Sequence, residues 1–242
     1  MSIASGVSIY GNGIDLACAF KSFAVAGEQA TLDATVLCNT GQSKSYELGF
    51  KSGTVTAEGV WKYDQTNADE IHNILSAALA NSAQVVLTAG YAALAVGDPC
   101  TLTDGIVKSY GIQTPLEQLI MCSAEFEGDG GVSFGRWLFN AEVDTTTTNG
   151  TSVDNSASTA NGGLFHVHYQ NGAGTEDLTA KIQHSANNST WADLGTITLS
   201  NLTGFGASSL EIAAGTTVNR YIRAQIAVAQ GALNVQAAFA RR

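Results

Sequence analysis

The histidine pair in His166-Val167-His168 is the first place where two side chains of this sequence could act together. Residues two apart in a β-strand point to the same face, so both imidazoles could reach one metal ion. A third ligand is not evident, and Phe165, Val167 and Tyr169 would occupy the opposite, apolar face. We therefore predict a pair of surface or interface histidines rather than a metal centre.

The acidic residues Glu125 and Glu127 are a second candidate, because they share one strand face and Asp129 follows them. Two carboxylates about 5 Å apart serve a retaining glycosidase, and a wider pair serves an inverting one. In an acidic chain with few charges, such a pair more often forms a solvated or pore-facing surface. The glycine-rich stretches 128–135 and 172–174 match no dinucleotide- or phosphate-binding loop, and no spacing of Ser, His and Asp singles out a triad. The sequence predicts neither an enzyme nor a cofactor.

Three tryptophans and two arginines give weaker signals. Trp61, Trp137 and Trp191 are scattered, which favours core packing and leaves stacking on a sugar as the alternative. Arg220 and Arg223 lie three residues apart, so a strand would point them to opposite faces. We expect them to form salt bridges with the acidic half of the chain or with a neighbouring subunit.

The charges of the chain are few and unevenly placed. Only 13% of the residues are charged, about half of the usual share. Residues 1–160 carry 17 acidic and 6 basic residues, a net −11, whereas residues 161–242 carry 4 and 5, a net +1. So little charge favours assembly with further copies. The acidity argues against gripping nucleic acid, although a like-charged wall lets a polyanion slide past.

The four cysteines form no Cys-x-x-Cys pair, so a zinc ribbon or a redox motif is not expected. We predict that Cys18, Cys38, Cys100 and Cys122 are buried, reduced thiols of a protein that folds in a cytoplasm. The first residues lack the basic and apolar segments of a signal peptide, and no apolar run approaches the roughly 18 residues of a membrane span.

Alternation of apolar and polar residues predicts strands over most of the chain. In the stretch 45–63 the alternation changes phase after Gly53, which indicates either one bulged strand or two antiparallel strands. Residues 1–30 read as short extended pieces around turns, with a turn at 10–13.

One helix is predicted, with Asn67 as its N-cap and its end at Asn81-Ser82. His72 would lie on its polar flank, in contact with solvent. The apolar residues recur at helical spacing and share one face: Ile71, Ile74, Leu75, Ala78 and Leu79.

The polar stretch 144–163 separates two groups of predicted strands. We predict a first domain over 1–145, a linker or first strand over 146–162, and a second domain over 163–242. The predicted fold is mostly β: an N-terminal β-sandwich or barrel with one α-helix, followed by a C-terminal all-β sandwich.

An ordered series of short motifs runs through the first half. It comprises Asp33-x-Thr35, the polar loop 39–45, Gly49-Phe50-Lys51-x-Gly53, Glu58-Gly59 and the helix from Asn67. This order resembles the tail tube proteins of long, non-contractile-tailed bacteriophages, although Ala34 and Phe50 stand where that family usually has Val and Leu. The second half resembles sandwich domains that are often fused to such phage structural proteins.

The resemblance implies a virion structural protein that is assembled in the cytoplasm of a bacterial host. Its copies would form stacked rings, usually six-fold, whose strands close into a continuous β-barrel around a channel for DNA. Its partners would be itself, other tail proteins such as the tape measure and the terminator, and DNA in transit, with no membrane insertion. Three-fold rings remain an alternative if the second domain also contributes to the tube.

The resemblance also suggests roles for particular residues. Candidates that face the channel or a neighbouring subunit are Glu47, Lys51, Glu58, Glu125, Glu127 and Asp129. Candidates for the contact between stacked rings are Asn39, Thr40, Gly41, Gln42, Ser43, Lys44 and Ser45. The second domain would decorate the outside. Two other functions stay open: a capsid decoration or baseplate protein, and a carbohydrate-binding surface module.

Overall fold

A computed structural model describes residues 7–17, 20–34, 44–61, 71–91, 94–114, 116 and 118–242. The prediction of a mostly-β fold is confirmed. In the described part, one helix, α1 (Ile71–Asn81), accompanies the strands. The strands are β1 (Ser8–Gly11), β2 (Ile14–Asp15), β3 (Phe20–Asp33), β4 (Tyr46–Val60), β5 (Gln84–Gly90), β6 (Pro99–Gln113), β7 (Met121–Asp144), β8 (Thr147–Asn149), β9 (Val153–Asp154), β10 (Gly163–Ser185), β11 (Ala192–Ile212), β12 (Tyr221–Ala229) and β13 (Ala232–Arg241).

The strands form one hydrogen-bonded network in which every pairing is antiparallel. Its main path runs β2-β1-β5-β6-β7-β13-β10-β12-β8. Three branches complete it: β11 pairs with β10, β9 pairs with β12, and the β3–β4 hairpin joins β7 through β4. The long strands β7 and β10 each pair with different neighbours along their length, so they connect several layers.

The predicted turn at 10–13 is confirmed and closes the hairpin of β1 and β2. Gly11 pairs with Ile14, and the two residues between them have positive φ, 48° at Asn12 and 87° at Gly13. This is the type I′ geometry that an Asn-Gly pair favours. The Asn12 side chain also accepts a hydrogen bond from the Val86 N–H at 2.8 Å, which ties the turn to β5.

A four-stranded layer occupies one side of the molecule, in the order β3, β4, the first part of β7 and the last part of β6. Here the structure differs from the sequence prediction. Residues 1–30 were expected to form only short extended pieces, but residues 20–33 form the 14-residue strand β3. Of the two alternatives for the stretch 45–63, one bulged strand or two antiparallel strands, the structure has the single strand β4. Its register against β3 shifts twice, near the end at Phe20 and again between the pairs Gln29–Lys51 and Thr31–Leu48.

The helix packs on the inner side of this layer. Leu75 and Ala78 are buried as predicted, but Leu79 is exposed. The end of the helix at Asn81 is confirmed, whereas the predicted N-cap lies outside the described residues. The prediction of a solvated His72 is wrong, because its Nδ1 lies 3.2 Å from the Tyr110 hydroxyl and its ring packs edge-on against Trp61.

Two large cores and a smaller one fill the space between the layers. The first joins the inner residues of β4, β6 and β7 to β1, β5 and α1. The second joins both halves of β10 to β11, β12 and β13, so the second group of strands folds over on itself. Tyr10, Trp137 and Leu164 belong to the small core between them, in which Trp137 is fully buried as expected for a core tryptophan.

Strand β7 ends at Asp144, next to the predicted boundary at 145, but it contributes to both large cores. Phe126 belongs to the first, whereas Leu138 and Phe139 belong to the second. Within 146–162, β8 and β9 both pair with β12, so this stretch contains short strands. The division into two domains stays a prediction.

Candidate functional site

The outward side of the four-stranded layer is polar, and we call it the polar face. Along β4, the buried residues Val55 and Ala57 point to the core. The alternate residues point outward, because successive side chains of a strand lie on opposite faces. The register adds their partners on β7, where Thr54 pairs with Glu127, Thr56 with Glu125 and Glu58 with Ser123. The face comprises Ser22, Ala24, Ala26, Glu28, Ser52, Thr54, Thr56, Glu58, Ile106, Lys108, Ser109, Ser123, Glu125 and Glu127.

Lys108 bridges the two glutamates of this face. Its Nζ lies 2.8 Å from a Glu125 carboxylate oxygen and 3.2 Å from one of Glu127, and these contacts raise the pKa of the lysine. The three side chains are partly exposed, so each ion pair contributes little to stability. Both carboxylates are thus partnered by a cation and partly exposed to solvent. Glu28 and Glu58 lie on the same face, so the polar face as a whole carries a net negative charge.

The other residues predicted to face the channel or a neighbouring subunit lie in different parts of the structure. Glu47 pairs with Leu32 and by register lies on the side of the polar face, whereas Lys51 pairs with Gln29 and lies on the opposite side. Asp129 is exposed at the bend of β7 and pairs with Asp104.

Most of the predicted stacking loop lies outside the described residues, namely Asn39, Thr40, Gly41, Gln42 and Ser43. Lys44 and Ser45 are described and exposed. The Ser45 carbonyl accepts a hydrogen bond from the Ala34 N–H at 2.8 Å, which continues the β3–β4 ladder beyond the strand ends.

Two long stretches of backbone in this layer have a neighbour on one side only. Strand β3 pairs with β4, and its other edge has no partner strand within the described part of the chain. On the far side of the layer, β6 pairs with β5 as far as Ile106, and residues 107–113 pair with β7 alone. Among the described residues neither edge has a partner strand, and a strand edge of this kind is a template for pairing with another chain.

The β3–β4 hairpin projects beyond the rest of the layer. Pairing of β4 with β7 stops at Gly53, so within the described part of the chain the strand segments 28–33 and 46–52 pair with one another and with no further strand. Four large apolar side chains of this projection are exposed, and we call them the apolar tip: Leu32, Tyr46, Leu48 and Phe50, the last of them 93% exposed.

A second apolar surface lies at the opposite end of the layer. It surrounds the connection between β6 and β7, next to the end of β4, where the Trp61 N–H donates to the Ile120 carbonyl at 2.9 Å. We call it the apolar base, and it comprises Ile112, Leu116, Leu119 and Ile120. Residues 51–60 of β4 lie between the tip and the base and separate them by roughly 35 Å.

The histidine pair is not at the surface, and that prediction is wrong. His166 and His168 are fully buried, because β10 is covered on this side by β5 and β6. The Thr88 hydroxyl lies 2.9 Å from His166 Nδ1 and 2.9 Å from His168 Nε2. The Gly13 N–H donates to His168 Nδ1 at 3.1 Å. This burial could not be predicted from the residue pattern, because alternation along one strand does not reveal a second covering layer.

These contacts determine where the protons of the cluster lie. Since His168 Nδ1 accepts from Gly13, the proton of its neutral ring is on Nε2 and is donated to Thr88. The Thr88 hydroxyl is then free to donate its own proton to His166 Nδ1 when that ring is neutral, and the other ring nitrogen of His166 is Nε2. That nitrogen faces Asp104 Oδ1 at 3.2 Å, with angles outside those of a regular hydrogen bond.

Charge and burial act in opposite directions on this cluster. Burial, followed by the charge of His166, lowers the pKa of His168 far below its usual value. Burial alone would raise the pKa of Asp104, but the close approach of the His166 ring, with contributions from Ser209 and Arg242, lowers it. No group of three or more His, Cys, Asp or Glu that could hold a metal occurs among the described residues. The cluster thus links β1–β2, β5 and β6 to β10 through hydrogen bonds.

The remaining candidates have structural partners. The guanidinium of Arg223 lies 4.2 Å from the ring centroid of Trp191, so one face of that ring is already covered. Arg220 forms a bidentate salt bridge with Asp154, at 2.7 and 2.6 Å. Cys100 is a buried free thiol whose pKa is raised by burial, and no disulfide involves it.

In the part of the chain that the structure describes, no helix has the length and apolar character to cross a membrane.

Comparisons with known proteins give matches in structure only. No family model and no curated sequence matches this chain. Among solved structures, it is similar to a chain from the virion of a native gene transfer agent particle, with a TM-score of 0.43, 14% identity, and coverage of 55% of this chain and 98% of that one.

Two further solved structures come from the phage SPP1. Its tail tube has a TM-score of 0.41 and 12% identity, over 52% of this chain and 75% of that one. Its Dit protein, described as a hub adsorption apparatus, has a TM-score of 0.37 and 11% identity, over 97% and 99%. These neighbours are virion and tail components.

Replacing Thr88 should show how much the buried cluster stabilises the fold. Thr88→Val removes the hydroxyl and leaves a nitrogen of each histidine without a partner, so we expect the free energy of unfolding to fall by about 2 to 4 kcal/mol. Thr88→Ser keeps the hydroxyl and should cost about 1 kcal/mol for the lost methyl group. Urea denaturation measures both, and equal losses would contradict this role.

Stability should also depend on pH through His168. Its pKa is lowered in the folded state, so below about pH 6.5 the unfolded chain takes up a proton that the folded chain does not. The free energy of unfolding should then fall by up to about 1.4 kcal/mol per pH unit as the pH decreases from 6.5. His168→Gln should be less stable at pH 7 but should lose less between pH 7 and 5. A slope equal to that of the unchanged protein would contradict the assignment.

Proposed function

We propose that this chain is a structural subunit of a phage tail tube. Copies join side by side into closed rings, and stacked rings enclose a channel for DNA. The observation that carries the proposal is the four-stranded layer, which has an unpaired edge on each side and an acidic, polar outer face. The protein acts as a scaffold and not as an enzyme, and its place is the virion tail, after assembly in the bacterial cytoplasm.

The two free edges are suited to each other. Along β3, β4, β7 and β6 the strand direction alternates, so β3 runs opposite to β6. If β3 of one copy pairs with residues 107–113 of the next, the antiparallel alternation continues without a break. Such a contact joins two different surfaces, so it repeats around a ring until the rotation closes. Closure into a barrel removes both edges.

The polar face is the side that lines the channel. The inner side of the layer packs on α1 and β5, so only the polar face can border an open space. Its glutamates outnumber Lys108, and the small residues Ser22, Ala24 and Ala26 leave a smooth wall. A net negative lining repels phosphates and keeps DNA from adhering during passage.

The number of strands favours six copies over three. Six copies of the four-stranded layer give 6 × 4 = 24 strands, whose backbone cylinder is roughly 50 Å across at usual strand spacing and tilt. Three copies give 12 strands and roughly 25 Å, which leaves no room for a duplex once side chains are added. The six-fold ring, which the sequence resemblance implies, is therefore the one we propose.

The second group of strands belongs outside the tube. It is attached through the second half of β7, beyond the bend at Asp129 and Gly130, and the segment 161–242 carries a net charge of +1. A near-neutral segment on the outside does not disturb the acidic channel. Tape measure and terminator proteins are the expected partners at the inside and the end of the tube. The contact of Arg223 with Trp191 leaves little support for a carbohydrate-binding module.

Assembly should protect the two free edges. Negative-stain microscopy of the purified chain should show rings and tubes with a central pore. Hydrogen exchange should slow on assembly at the amides of β3 and of residues 107–113, because these gain hydrogen-bond partners. The outer edge of β11 is the internal control and should exchange as before. Protection of β11 instead would overturn the proposed ring contact, and isolated rings that never stack would indicate a baseplate component.

Reversing the acidic charges should affect DNA passage and leave assembly intact. Glu125→Lys together with Glu127→Lys would surround Lys108 with two more cations, so DNA should adhere to the wall. In virions that carry this variant we expect tubes of normal appearance and DNA release slowed on the order of tenfold. Glu142→Lys, an exposed reversal on the second half of β7, is the matched control. If the double variant instead fails to form rings, these glutamates face a subunit interface.

A further inference from the structure

The apolar tip and the apolar base both consist of large apolar side chains that are exposed to solvent, although to different extents. Within the tip, Leu48 is 73% exposed, and within the base, Leu116 and Leu119 are 92% and 61% exposed. Clusters of large apolar side chains are unusual on the surface of a monomer and mark interaction sites. Their position at the two ends of one layer is what identifies their partner.

In a ring closed through β3 and residues 107–113, the ends of the layer lie on opposite rims. Every tip then lies on one rim and every base on the other, with the same rotational symmetry. Stacking two identical rings in the same orientation therefore places tips opposite bases. Tip-to-tip contact would join two rings face to face and leave only bases outside, so it cannot by itself extend a tube.

We propose, resting on the tube function above, that the apolar base of each ring receives the apolar tip of the next copy along the axis. Leu32, Leu48 and Phe50 pack against Leu116 and Leu119, and burial of these side chains holds the rings together. The occupant of the base is thus a second copy of this chain. Because the contact is apolar, its strength depends little on salt, unlike a contact made by surface ion pairs.

Variants of each surface test this contact in the full-length chain. Leu116→Ser with Leu119→Ser removes the base, and Leu48→Ser with Phe50→Ser removes the tip. Each should form closed rings, with the concentration needed for tubes raised on the order of tenfold or more, as expected for losing two buried apolar side chains. Phe134→Ser is the matched control, because Phe134 is 70% exposed but lies at neither end.

Mixing the two variants tests which surfaces meet. Rings without a base keep their tips, and rings without tips keep their bases. Preformed rings of the two kinds, mixed in equal amounts, should therefore form pairs of rings and nothing longer. Sedimentation velocity and negative-stain microscopy would resolve such pairs. Pairs in either variant alone would overturn the tip-to-base assignment.

A cross-link provides an independent measurement. In a Cys18→Ser, Cys38→Ser background, Phe50→Cys and Leu119→Cys should form a disulfide between copies in tubes and not in isolated rings. Tubes without this disulfide, or variants that form tubes as readily as the unchanged chain, would overturn the inference and leave the ring proposal intact. If the unchanged chain forms no rings at all, the proposed function fails first.

Discussion

The unpaired backbone of β3 is the constraint on which the rest of this structure depends. Fourteen consecutive residues form a strand with a partner on one side only, and most of their side chains are exposed on both faces. Such an edge is a template for uncontrolled association unless a specific partner covers it. A matching edge of opposite direction at residues 107–113 offers that partner within the same sequence. In the proposed ring this pairing would complete the layer, and the low charge of the chain is compatible with it.

The remaining parts serve to hold this layer in place. Strand β7 belongs to the layer as far as Gly128, and then bends at Gly130 and Gly131, whose φ values of 74° and 85° favour glycine. Gly53 lies against the bend, where a Cβ would come within 2.7 Å of Val132. Beyond the bend, the hydrogen bonds between Thr88 and the two buried histidines fix β5 against β10. The outer strands therefore have a defined orientation relative to the four-stranded layer.

The sequence predicted those elements that have one buried, apolar face and one exposed, polar face. Strand β4 and the end of α1 were found because one side of each is buried. Strand β3 was missed because Ala24, Ala26 and Gly27 give little contrast between its two faces, most of whose residues are exposed. The buried histidines were missed for the opposite reason, since both faces of β10 are covered there. Contacts between segments that are distant in the sequence leave no local pattern of residues. Such contacts determine both the pairing of β3 and the burial of the two histidines.

The position of Lys108 shows how an acidic wall can remain compatible with folding. Glu125 and Glu127 are two residues apart on one strand face, so their carboxylates repel each other in the folded chain. A lysine from the neighbouring strand, placed between them by a bulge in β6, relieves this repulsion while the face stays net negative. In a ring the same acids repeat around the channel, and their mutual repulsion opposes closure. Backbone hydrogen bonds between the joined edges must outweigh this repulsion. The separation of the acidic side chains, which lie on the face, from the strand edges, where backbone groups pair, is consistent with this requirement.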